Sequence, residues 1–178
     1  MRIQLLASGV MAGLLSLSAA AQPPAAAGPA GAAAEPRTFI STAEVAERIG
    51  KADAAAKSGT QYNGGPLLAS GPYRANLEYH GSPATNIAVH EADAELFVVL
   101  EGSGTMTLGG TLVNPTRNGT NLSSSKVEGA TERKLVKGDM VLVPQNTPHA
   151  VTQVDGKLVL MSMHLPRATP AAAAPAGR

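Results

Sequence analysis

The chain has 178 residues, the size of one domain, and carries 14 Lys+Arg against 13 Asp+Glu, so charge gives it no basis for binding nucleic acid or an acidic surface. It has no Cys, which excludes thiol nucleophiles, disulfides, thiolate metal sites and a lipoprotein anchor. With no Trp, three Tyr and two Phe, it is too poor in aromatics to build stacking platforms for sugars or single strands.

The N-terminus reads as an export signal. Arg2 is a thin positive region, Ile3 to Leu17 is mostly apolar, and Ala19-Ala20-Ala21 offers small residues for cleavage before Gln22. The apolar run falls short of the roughly 20 residues of a membrane span. We therefore expect residues 1–21 to be a removed signal peptide, and the mature chain to be periplasmic or secreted with no membrane insertion. Residues 22–36 and 168–178 are rich in Ala, Pro and Gly and cannot bury a core; both are expected to be disordered. The fold is then confined to residues 37–167.

Ser41 and Glu44 fit a capping box, and Val45, Ile49 and Ala52 follow on one face. The spacing predicts a single helix over Thr42 to Lys57, closed by Ser58-Gly59, with an apolar face modest enough to pack on the outside of something larger. Strand signals then follow at Tyr73–His80, Asn86–His90, Glu95–Glu101, Thr105–Leu108, Thr111–Val113, Thr131–Val136, Met140–Val143, Ala150–Val154 and Leu158–His164. Gly102-Ser103-Gly104 and Asp155-Gly156-Lys157 read as hairpin turns. Residues 114–130 read as a long polar loop that covers one mouth of the fold and could be deleted without unfolding it. Many short strands at regular spacing predict a sandwich or barrel rather than a parallel α/β sheet.

The four His residues, 80, 90, 149 and 164, all fall on or beside predicted strands. A buried neutral imidazole needs a hydrogen bond or a metal. Glu95 heads the apolar run Leu96 to Leu100, and a carboxylate there is costly unless it is paired or bound to a cation. His90 and Glu95 could meet across the intervening turn. In Gly138–His149 (GDMVLVPQNTPH), a turn glycine launches an apolar strand, Pro144 ends it and Asn146 suits a left-handed turn. His149 then opens the next strand. Ser123-Ser124-Ser125-Lys126 matches an acyl-enzyme pattern only by composition, since the partner motifs are absent.

These two segments resemble the two motifs of the cupin family. Of the first, G-x5-H-x-H-x(3,4)-E-x6-G, the chain has His90, Glu95 and Gly102 in register; of the second, G-x5-P-x-G-x2-H-x3-N, it has Gly138, Pro144 and His149. It departs at the first histidine, which is Ala88, at the opening glycine, Ser82, at the second motif's middle glycine, Asn146, and at the closing asparagine, Gln153. The resemblance implies an all-β, cupin-type double-stranded β-helix, or jelly-roll barrel, with one N-terminal helix. It also implies a divalent metal (Fe, Mn, Ni or Zn) on His90, Glu95 and His149, and a cavity lined by Val, Leu and Met with Gln153 as an added polar group. His80 and His164 read as satisfied strand histidines, either of which could replace the lost ligand if the barrel brings it near. Three functions stay open, the first two being a metal-dependent enzyme of oxygenase, isomerase or lyase type and a non-catalytic binder of small molecules with a degenerate metal site. Storage or structural association, with pairing into a homodimer, is a third.

Overall fold

The computed structural model describes residues 35–60, 62 and 64–167; the expected signal peptide and tail lie outside them, as does all but the end of the linker. Helix α1 spans Thr42–Lys57, and the Ser41 hydroxyl accepts a hydrogen bond from the Glu44 backbone N–H at 3.2 Å. Eleven strands follow: β1 (Leu68–Ser70), β2 (Tyr73–His80), β3 (Ile87–His90), β4 (Asp93–Leu108), β5 (Thr111–Leu112), β6 (Thr116–Asn118), β7 (Asn121–Ser124), β8 (Val127–Glu128), β9 (Thr131–Val136), β10 (Met140–Val143) and β11 (His149–Pro166).

The long strands β4 and β11 organise the barrel, because each belongs to both of its walls. In one wall, residues 158–166 of β11 lie between β2 and residues 93–102 of β4, with β1 and β10 at the edges. In the other, residues 149–154 of β11 pair with residues 104–108 of β4, which is flanked by β9, while β3, β7 and β6 extend the wall through the pairing of His149 with Ala88. Inward residues of both walls form one apolar core of Phe97, Val99, Met106, Leu135, Val141, Val143, Val151, Leu158 and Leu160. Period-two alternation sets which residues join it: on β10, Val141 and Val143 are buried while Met140 and Leu142 face out. The fold is thus all-β with one helix, as the motifs imply.

Two expected hairpins are absent. Residues 93–108 form one strand and residues 149–166 another, each bending where a turn was expected. The glycines serve the close approach of these two strands at the bend. A Cβ on Gly102 (φ +76°) would collide with the Lys157 carbonyl, and one on Gly104 with that of Gln153. The register shift between Val154 and Leu158 absorbs the extra residues as a bulge. Residues 114–130 also differ from the expected loop. They fold into β6, β7 and β8, and β7 pairs along β3 from Ile87 to His90. Through β6 and β7 the segment is built into the wall that holds His90, rather than laid over the mouth as a loop.

Helix α1 buries Ile49 and Ala52 and packs against β2. The Tyr79 hydroxyl donates to Asp53 at 2.8 Å, and Arg48 donates to the carbonyls of Gly64, Gly65 and Pro66, tying the segment after the helix back to it. The helix thus lies outside the barrel.

Candidate metal centre

Glu95 sits on the inward row of β4 with Phe97 and Val99 and is 4% exposed. Its cross-strand neighbours are Val143 on β10 and His164 on β11. Three imidazoles converge on this carboxylate: His90 Nε2 lies 3.3 Å and His149 Nε2 3.1 Å from Oε2, while His164 Nε2 lies 3.4 Å from Oε1. The His90 ring is 5.3 Å from that of His149 and 4.7 Å from that of His164, edge to face with the latter. His90, Glu95 and His164 each offer a ligand atom within 4.8 Å of the others, a group able to hold a metal ion.

The far side of each ring has its own environment. His149 Nδ1 is 3.0 Å from the Thr147 carbonyl, and His90 Nδ1 is 2.8 Å from Asn121 Oδ1 on β7. A carbonyl only accepts, so both Nδ1 atoms carry the hydrogen. When these rings are neutral, each turns an Nε2 lone pair towards a carboxylate oxygen, and two acceptors meet with no proton between them. A cation shared at that point, a proton or a metal, resolves the conflict. His164 Nδ1 is buried with no hydrogen-bond partner; Asp93 Oδ2 lies 3.7 Å away.

Electrostatics follow from this geometry. Burial alone would raise the Glu95 pKa, but hydrogen bonding to the His149 and His90 rings in their protonated form, with the nearby charge of His164, outweighs it and holds the carboxyl at about 2. His90 is raised, chiefly by its hydrogen bond to Glu95 and against the opposing effect of burial.

The backbone joins the two motif segments. Asn146 adopts the left-handed conformation (φ 60°) and donates its N–H to the His90 carbonyl at 2.9 Å. An Asn here keeps the backbone shape that a glycine would supply. Both motif segments therefore meet at one point inside an antiparallel barrel whose two walls share their longest strands. The fold is a cupin barrel.

No family model matches the chain, and no curated protein is a significant match. Solved structures resemble it in part. A protein of Bacillus halodurans is 18% identical, with 77% of this chain and 87% of that one covered and a TM-score of 0.48. A cupin protein of Bacteroides fragilis is 13% identical over 60% of this chain and 76% of that one, TM-score 0.41. The DMSP lyase DddQ of Ruegeria pomeroyi is 21% identical over 66% of this chain, which spans half of the lyase, TM-score 0.41.

The barrel holds an open cavity of about 320 Å³. Its wall holds His90, Glu95, His149 and His164 together with Ala84, Ala88, Phe97, Met106, Ala150 and Val151, and with Glu78, His80 and Asn86. The expected Val, Leu and Met lining is corrected accordingly: it contains no Leu, and small alanines and three further polar residues take its place. Gln153 is also corrected. It is exposed and accepts a hydrogen bond from Thr105 at 3.3 Å, because the bulge in β11 turns it away from the cavity. His80 pairs with Glu78 at 3.3 Å, as a strand histidine does. His164 is not merely a satisfied strand histidine, since it faces Glu95. No local motif reveals this, for only the β4–β11 register sets those two residues side by side.

Proposed function

We propose that this chain is an exported single-domain cupin whose barrel, within residues 37–167, binds a divalent metal and a small organic molecule. His90, Glu95 and His149 would hold the metal, with His164 as a further donor. The observation that carries this reading is the hydrogen bond from His149 Nδ1 to the Thr147 carbonyl. It fixes the tautomer that leaves Nε2 free to coordinate, and it aims that atom at Glu95. Neutral imidazoles with one carboxylate form a donor set suited to Fe, Mn, Ni or Zn.

A bound metal would polarise an oxygen of the ligand and favour its anionic form. The chain's own groups do the remaining work. Asn121 and the Thr147 carbonyl orient the two imidazoles. Phe97, Met106 and Val151 give the cavity an apolar stretch of wall. Glu78 and His80, on β2, can exchange a proton with a bound molecule that reaches them. Oxygenase, isomerase and lyase chemistries all fit such a site, and the fold does not choose among them. Export rests on the signal-like residues 1–21.

The loss of the first motif histidine to Ala88 favours a second reading, a non-catalytic barrel that holds its ligand without a metal. Metal content of untagged protein, wild type beside His149→Ala, separates the two. The metal reading expects about one ion per wild-type chain and affinity at least about tenfold weaker in the variant. No metal after incubation with Fe(II), Mn, Ni or Zn would contradict it and leave the metal-free barrel.

A further inference from the structure

In the wall formed by β10, residues 93–102 of β4 and residues 158–166 of β11, the strands are apolar on both faces. Their inward residues belong to the core, and the register lays the outward ones in straight rows. Met140, Val98 and Met161 stand side by side in one row, and Leu142, Leu96 and Met163 in the next. Ala94 and Leu165 extend the pattern on β4 and β11. The rows run on to Leu77 and Ala75 of β2, the strand against which helix α1 packs. Beyond β2 they lie open: Met140 is 71% and Leu142 59% exposed, and the residues on β4 and β11 are half-buried.

The other wall shows how this chain builds a solvated outer face. Its rows carry Lys134, Thr105 and Gln153, then Glu132 and Thr107, with Thr105 bonded to Gln153 and Thr107 to Thr152. An antiparallel sheet with one face in water alternates apolar and polar residues, as that wall does. The face of β10, β4 and β11 has no charge and no hydrogen-bonding side chain in its rows, so burying it requires a second layer.

Charge, composition and size indicate what that layer is. A face without polar groups gives a foreign partner nothing to recognise by charge. A copy of the same face needs nothing of the kind: across a two-fold axis, equal apolar rows meet and no like charges are brought together. Three of the side chains are Met, flexible enough to adapt to one another in a self-contact. Strands about 4.8 Å apart and rows about 7 Å apart give the face roughly 300 Å². That is a suitable apolar centre for a dimer contact of about 800 Å² per copy with a polar rim. The Glu101–Lys157 ion pair, at 2.8 Å, lies beyond the Met140 row and would belong to such a rim.

We propose that the outer face of β10, β4 and β11 packs against the same face of a second copy of this chain, about a two-fold axis that passes near Leu96 and Val98.

The test is sedimentation velocity on the full chain at micromolar concentration, with wild type beside Leu142→Glu and, on the other wall, Lys134→Glu. Position 142 is exposed in the single chain, so a Glu there leaves the fold intact and acts on the pairing. The proposal expects a wild-type dimer, retained in Lys134→Glu and weakened at least about a hundredfold in Leu142→Glu. The chain has no Cys, so a single introduced one reports its own position. Val98→Cys should give a covalent dimer with a short bis-maleimide, and Lys134→Cys should not. A monomeric wild type, a dimer unaffected by Leu142→Glu, or cross-linking at position 134 equal to that at 98 would each overturn the proposal. None of these outcomes touches the metal reading, which the pairing does not require.

Discussion

Glu95 and the imidazoles around it set the acid–base behaviour of the metal-free protein. The Glu95 carboxyl is held at about 2, against 4.5 for a free Glu, so its contribution to stability is present above pH 4.5 and is lost as pH falls towards 2. His90 is shifted the other way, above 6.5, so its contribution is full below pH 6.5 and is lost as pH rises through its folded-state value. Metal-free protein is therefore expected to have its highest Tm between pH 4.5 and 6.5, with a fall on each side. A bound metal replaces the proton as the shared cation, so one equivalent should abolish the fall on the alkaline side. Thermal melts across pH with and without metal check this, and a metal-free Tm that does not drop above pH 6.5 would count against the cation-sharing geometry. At this scale the sequence was only partly readable. His90, Glu95 and His149 stand at motif spacing, whereas His164 and Asn121 have no local signal. Cross-strand register alone brings them to the site, opposite Glu95 and His90 respectively.

Among the elements, helix α1 and strands β2, β9 and β10 were legible, because local chemistry determines them: a capping box for the helix, and apolar alternation bounded by turn residues for the strands. The hairpin expectations failed because Gly-rich segments have two physical uses. At Gly102 and Gly104 the missing Cβ lets β4 and β11 approach at their common bend. At Gly138 (φ +94°) it only permits the turn into β10, and nothing lies near where a Cβ would be. The two uses predict different costs. Gly138→Ala should lower stability by about 1–3 kcal/mol, the strain of a left-handed residue. Gly102→Ala adds a backbone collision to that strain and should cost clearly more, on the order of 4 kcal/mol or above. Denaturant unfolding of both variants checks the order, and equal losses would show that the bend is not sterically tight.

For the molecule as a whole, the barrel brings four residues from three strands together on the wall of one small cavity. Composition excluded many alternatives, and the two motif segments led to the fold. The site's completeness was not legible, since the sequence shows a missing histidine at Ala88 and the replacement is visible only once β11 is laid against β4. The central claim is that Glu95 and the surrounding imidazoles hold one divalent ion. Anomalous diffraction from crystals grown with one equivalent of Co(II) tests it most directly. The account predicts a single strong peak roughly 2.0–2.2 Å from a Glu95 carboxylate oxygen and from the Nε2 atoms of His90 and His149, with His164 also in reach. A peak elsewhere, or none with cobalt in excess, would contradict it.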